Sequence, residues 1–173
     1  VLRGDYLTTG PAVGRFEAAL TDRLGVDHAI AVSNGTAALH LVYAALGCGS
    51  GDTVIVPAIT FLATANAAEL LGARAIFADV DADSGLLTPE TLERAFARAP
   101  GAKAVTAVHL NGQSCDMGGL AEVCARHGAT LLEDAAHAIG SASWATTHPA
   151  EPVGAGADGG VGRLRRHHPV EEA

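Results

Sequence analysis

The feature that most constrains this chain is an alternation. From Ala29 onward, short apolar or β-branched runs of strand length take turns with segments whose apolar residues recur at helical spacing. The pattern predicts strands near 29–32, 53–56, 75–80, 104–109 and 129–133 with helices between them. Regular strand–helix alternation implies an α/β class: a mostly parallel sheet with helices on both faces. Ligands of such sheets bind beyond the carboxyl ends of the strands. The residues that follow each strand are therefore where a site is expected.

Helix punctuation supports this reading. Pro11 suits a first helical turn, Val13, Phe16, Leu20 and Leu24 follow on one face, and Gly25 ends the segment. A second helix is predicted from Thr60 and Phe61 to Leu71, closed by Gly72. Thr88-Pro89-Glu90 reads as cap, first helical position and first-turn acid, with Leu92, Phe96 and Ala99 on the buried face. Leu120, Val123, Cys124 and His127 lie on a helix ending at Gly128. Asp79, Asp81 and Asp83 have the spacing of a calcium loop but lack the glycine and glutamate that should follow. A solvated turn is the better reading.

The stretch Val32 to Leu46 is the centre of the chain. Ser33, Asn34, Gly35 and Thr36 are turn and cap residues, and Ala37, Leu41, Ala44 and Ala45 continue as a helix. A helix start with small residues exposes backbone N–H groups within the positive end of the helix dipole, which suits a phosphate. An ordinary capped helix has the same local sequence. Phe61 offers a flat face near a strand end. Asp134, at the close of the last strand, is either a helix cap or a carboxylate that keeps the ring nitrogen of a bound pyridine protonated.

Composition narrows the partners. A net charge of -8 argues against nucleic acid. No window reaches the roughly 18 apolar residues of a membrane span, and the first residues have no signal-peptide pattern. Cys48, Cys115 and Cys124 are an odd set without a Cys-x-x-Cys, so no disulfide framework or metal knuckle is expected, and a reducing cytoplasm is the expected home.

Four segments together carry a resemblance: Val32-Ser-Asn-Gly-Thr-Ala-Ala-Leu-His-Leu41, Val54-Ile-Val-Pro-Ala-Ile-Thr-Phe-Leu-Ala-Thr-Ala-Asn66, Val108-His-Leu-Asn-Gly-Gln113 and Leu132-Glu-Asp-Ala-Ala-His137. In this order, from about Leu7 to Ser141, the chain resembles the pyridoxal-phosphate sugar aminotransferases of the DegT/DnrJ/EryC1/StrS family. Gly112-Gln-Ser-Cys-Asp-Met117 is similar to the branch that aminates C4 of a UDP-linked 4-keto-6-deoxy-N-acetylhexosamine in pseudaminic acid synthesis. The resemblance implies the large domain of the aspartate aminotransferase fold type I, incomplete here. It implies pyridoxal 5'-phosphate as cofactor, glutamate as amino donor and a homodimer for the intact enzyme. Gly35, Thr36 and Ala37 would hold the cofactor phosphate through their backbone. Phe61 would stack on the ring, Asp134 would pair with its nitrogen, and His137 would lie near its 3-hydroxyl. Asp5, Tyr6, Leu7 and Thr8 would line the sugar-nucleotide side.

The chain departs from the family at its most reactive residue. Such enzymes use a lysine that forms a Schiff base with the cofactor, in a segment like Ser-Phe-His-Pro-x-Lys. His168-Pro-Val echoes that segment, but Glu171 stands at the lysine's place, and Lys103 is the one lysine in the chain. The expectation is an amino-terminal fragment without turnover. Residues 1–143 would form part of the large domain, and 144–173 a low-information, disordered tail. Two alternatives are a silent cofactor- or nucleotide-binding fragment and a sugar dehydratase relative that uses histidine in place of lysine, as His167 or His168 would suggest. A Rossmann-type protein would want Gly-x-Gly-x-x-Gly after the first strand, which Ser33-Asn-Gly-Thr36 does not supply.

Overall fold

The computed structural model describes residues 4, 6–8 and 10–139, together with the backbone of 142–143, 151–152 and 164–165. The chain forms two compact units, Val1–Ser33 and Asn34–Ala173. In the first, α1 (Pro11–Leu24) starts with proline in its first turn and ends at Gly25, whose φ of 62° lets its N–H donate to the Thr21 carbonyl. Leu24 is buried, whereas Val13 and Phe16 of the same apolar stripe are exposed.

The predicted strand at 29–32 does not form. A strand exists through its ladder, and among the described residues no segment pairs with this one. The Ala31 N–H donates instead to Glu17 Oε1, at 2.8 Å.

The second unit runs α2 (Gly35–Ala45), β1 (Thr53–Pro57), α3 (Ala63–Glu69), β2 (Arg74–Ala78), α4 (Pro89–Phe96), β3 (Ala104–Val108), a 3-10 turn (Leu110–Gly112), α5 (Met117–His127) and β4 (Thr130–Asp134). Short strands follow: β5 (Ala142–Ser143), β6 (Glu151–Pro152) and β7 (Leu164–Arg165). The main sheet has the order β2-β1-β3-β4-β7. Its first four strands are parallel, and β7 joins β4 antiparallel through Leu131 and Leu132. β5 and β6 pair with each other. Most of the span expected to be a disordered tail, 144–173, lies outside the described residues.

Strand alternation divides the core between the two faces. Ile55, Val105 and Leu131 point to a cluster with Leu87, Leu92, Phe96, Leu120 and Val123, under α4 and α5. Val54, Val56, Ala104 and Leu132 point the other way, to Leu39, Tyr43 and the alanines of α3. The small residues of α3 let it approach α2 and β1 closely. Its start differs from expectation. The helix opens at Ala63 and not at Thr60, whose hydroxyl is bonded to that of Thr64 at 2.7 Å. At α4 the expected cap is present: Thr88 accepts from the Thr91 N–H, and Thr91 Oγ1 accepts from the Thr88 N–H. Asp81 closes its own turn, with Oδ1 accepting from the Asp83 and Ser84 amides and the Ser84 hydroxyl. No helix among the described residues is long and apolar enough to cross a membrane.

Candidate functional site

The four parallel strands end on one side, at Pro57, Ala78, Val108 and Asp134. A cleft of about 290 Å³ opens there, lined by Asn34, Gly35 and Thr36 of the α2 start, Thr60 and Phe61 after β1, His109 after β3, and Asp134 and His137 at the end of β4. Residues 100 positions apart thus share one wall system because parallel strands deliver every βα connection to the same edge.

At the α2 start, Asn34 is the cap. Its Oδ1 accepts from the Ala37 N–H at 2.9 Å. The Ala37 amide, the third of the helix, is thus engaged by the cap. The Gly35 and Thr36 amides are the first two of the helix and have no intrahelical acceptor, and they lie at the positive end of an 11-residue helix. Phe61 is 76% exposed although it lies on the cleft wall, so its ring is an uncovered apolar face.

Asp134 is the opposite case. The residue is 7% exposed, and no helix opens at 135–139, so the helix-cap reading does not hold. Its Oδ1 accepts from the Ala136 N–H at 3.2 Å in a local turn, and its Oδ2 accepts from Thr64 Oγ1 at 3.3 Å. Burial pushes its pKa above the usual carboxylate range, against the Ala136 amide and the Thr64 hydroxyl, which favour the ionised form. A carboxylate in this condition gains from a cation brought to it. A protonated ring nitrogen is a cation of the right size for a cleft edge.

His137 is exposed and lines the cleft. Tyr6, Leu7 and Thr8 are exposed residues of the first unit, and Asp5 lies outside the described residues. The cleft lining named above comes from the second unit.

Lys103 is held far from the cleft. It precedes β3, at the amino end of the sheet, where its Nζ donates to the Gly47 carbonyl at 2.6 Å and to Asp52 Oδ2 at 2.9 Å. The five residues of β3 lie between it and the cleft edge, about 16 Å of extended chain.

His109 and Glu133 are functional-site neighbours that sequence reasoning passed over. Both are buried, with His109 Nε2 2.7 Å from Glu133 Oε1, and His109 Nδ1 accepts from the Cys115 N–H at 3.1 Å. The amide at Nδ1 places the ring proton on Nε2, which donates to Glu133. The signal available in the sequence was their place, one residue past β3 and one before Asp134.

Known proteins resemble both the sequence and the fold. A structure of 3-amino-5-hydroxybenzoic acid (AHBA) synthase superposes with a TM-score of 0.73 at 44% identity, covering 78% of this chain and 34% of its own. DesV of S. venezuelae, in complex with a ketimine intermediate, matches at 39% identity and TM-score 0.71, covering 75% of this chain and 34% of DesV. The sugar aminotransferase Spr1654 of Streptococcus pneumoniae, in its PLP form, matches at 29% identity and TM-score 0.76, covering 80% and 39%. The chain spans well under half the length of each. The fold is that of the type I pyridoxal-phosphate-dependent transferases. The sequence signature of the DegT/DnrJ/EryC1/StrS aminotransferase family matches residues 1–161, so the chain belongs to that family.

Proposed function

We propose that the cleft at the carboxyl edge of the sheet binds pyridoxal phosphate and serves amine transfer to a nucleotide-linked keto-sugar. The observation that carries this is the buried Asp134 carboxylate in the same cleft as the uncovered Phe61 ring and the α2 amino terminus. The Gly35 and Thr36 amides suit the phosphate, Phe61 the ring face and Asp134 the ring nitrogen, with His137 at the cleft wall for the 3-hydroxyl. When bound, the cofactor supplies an electron sink for the substrate carbon that exchanges its amine. Asp134 serves that chemistry by holding a proton at the ring nitrogen, and the apolar wall excludes water from the ring.

The substrate is a UDP-linked 4-keto-6-deoxy-N-acetylhexosamine, aminated at C4 with glutamate as donor, as in the pseudaminic acid branch. Asp5, Tyr6, Leu7 and Thr8 are the residues assigned to the sugar nucleotide. The intact enzyme is a homodimer in the cytoplasm. These 173 residues alone hold the cofactor without turnover, because Lys103 is tied to Asp52 and Gly47 at the other end of the sheet. General acid–base catalysis by a placed lysine contributes about 10²–10⁴-fold.

The test is a fluorescence titration of the chain with pyridoxal phosphate. Asp134→Ala is expected to weaken binding about tenfold or more, the cost of one charge-assisted hydrogen bond. Equal affinity in the two proteins would sink the reading. Borohydride reduction in the presence of glutamate and the keto-sugar should then leave Lys103 without a stoichiometric pyridoxyl adduct. Such an adduct, with amino-sugar formation abolished in Lys103→Ala, would overturn the claim that the chain is silent.

A further inference from the structure

Around Asp134 the hydroxyl groups form a directed chain. Thr64 is fully buried, and its hydroxyl donates to Asp134 Oδ2. Having spent its one proton there, Thr64 Oγ1 accepts from Thr60, whose hydroxyl lies 2.7 Å away on the cleft wall. The backbone of Thr64 is fixed from the other side. Its carbonyl accepts from the Tyr43 hydroxyl at 3.1 Å, and Tyr43 in turn lies 2.7 Å from Thr106 Oγ1. Tyr43 spends its proton on the carbonyl, so Thr106 is the donor of that pair. Burial pushes the Tyr43 pKa up to about 12, so the phenol keeps that proton at any working pH. The four side chains come from different parts of the fold: Tyr43 from α2, Thr60 from the connection after β1, Thr64 from the first turn of α3 and Thr106 from β3.

We propose that Thr64 is a positioning residue for the Asp134 carboxylate, polarised by Thr60 and clamped in place by the Tyr43–Thr106 pair. The arrangement rests on the reading of Asp134 as the ring-nitrogen partner, and gives it a means to stay ionised in an apolar wall. One oxygen is engaged by the Thr60–Thr64 chain and the other by the Ala136 amide, so the carboxylate plane is set before any ligand arrives. Hydrogen bonds in series strengthen one another, so Thr60 acts on Asp134 through Thr64 without touching it.

The experiment follows the Asp134 carboxyl carbon by NMR titration in the cofactor-free chain, then the pH profile of pyridoxal phosphate affinity. Thr64→Val removes the hydroxyl at nearly constant shape, and Thr64→Ser keeps it. The expected result is an Asp134 titration moved upward in Thr64→Val, restored in Thr64→Ser, and moved upward by less in Thr60→Val. Pyridoxal phosphate should bind Thr64→Val about tenfold more weakly near neutral pH, with the acid limb of the profile shifted the same way as the titration. Thr60 is only half-buried, so Thr60→Val remains a test if the Thr64 variants do not fold. An Asp134 titration unmoved in Thr64→Val, or in Thr60→Val where Thr64→Val does not fold, overturns the proposal. A lowered affinity with an unmoved titration also overturns it, since loss of packing alone would do that. The titration is read without cofactor, so its failure is separate from that of the cofactor reading, which the Asp134→Ala affinity decides.

Discussion

At the scale of single residues, the ligand-free chain carries a cost at Asp134. Its pKa is raised in the folded state, chiefly by burial. A carboxyl with a raised folded pKa binds more protons folded than unfolded between the two pKa values. Stability therefore falls as pH rises through that window and stays lower above it. Asp134→Asn keeps an oxygen to accept from Thr64 and removes the charge. Thermal melts of the cofactor-free protein should show the asparagine variant more stable at pH 7, with the gap closing as pH falls to the ordinary aspartate range. A gap that widens in acid would mean that Asp134 is stabilised as an anion by something the desolvation argument omits. Lys103 teaches the complementary lesson: as the chain's one lysine it draws chemical attention, yet its ammonium is committed to Asp52, whose carboxyl it holds below the usual range.

At the scale of elements, legibility follows the range of the interaction. Caps and stops are local, so Pro11, Gly25, Thr88 and Gly128 were readable from the chain itself. β1, β3 and β4 were readable to within two residues because burial on both faces leaves a nearly continuous apolar run, and β2, half-exposed at the sheet edge, was readable from its run Ala75-Ile-Phe-Ala78. The segment 29–32 has the same composition, but a ladder needs a partner that its own letters do not specify. The cleft was readable in its positions, Gly35, Thr36, Phe61 and Asp134, and not in its supports. Thr64, His109 and Glu133 look like helix and strand filler until the fold places them beside Asp134. The His109–Glu133 pair adds a side-chain tie to the backbone bond from the His109 N–H to the Asp134 carbonyl at the ends of β3 and β4, and the Cys115 N–H bond to His109 Nδ1 holds the loop that follows β3. In that loop Gly112 has a φ of 80° and a Cβ there would sit 3.1 Å from the His137 carbonyl, so the loop lies directly on the Asp134 turn. His109→Leu fills the space but leaves the Glu133 carboxylate buried without its imidazole donor. A loss of about 3 kcal/mol or more is expected in urea unfolding. A change under about 1 kcal/mol, the net worth of a typical hydrogen bond, would mean that the loop is held without the pair.

At the scale of the whole molecule, the described surface carries more apolar area than its core can explain. Ile59, Phe61 and Leu62 stand exposed together after β1, Leu70 is exposed at the end of α3, and Phe77 is exposed on β2. β2 is also the last strand on its side of the sheet, where unpaired backbone groups invite another strand. Two of those groups are covered: the Ala75 N–H donates to Glu69 Oε1 at 2.8 Å, and Arg98 Nη2 donates to the Phe77 carbonyl at 2.7 Å, placing a charge of each sign at the edge. A net charge of -8 opposes association through general repulsion, but that repulsion is screened beyond about 8 Å at physiological salt, whereas apolar contact is not. The 173-residue chain should therefore bind an apolar dye and associate with rising concentration, more strongly as salt is added. Replacing Leu62, Leu70 and Phe77 by lysine removes apolar area at three places without entering either core cluster. Sedimentation velocity should then show a single species at concentrations where the parent chain has assembled. The salt series separates the causes: association that weakens with added salt would be electrostatic, and a parent chain that stays monomeric throughout would mean that these side chains are too dispersed to act as a surface.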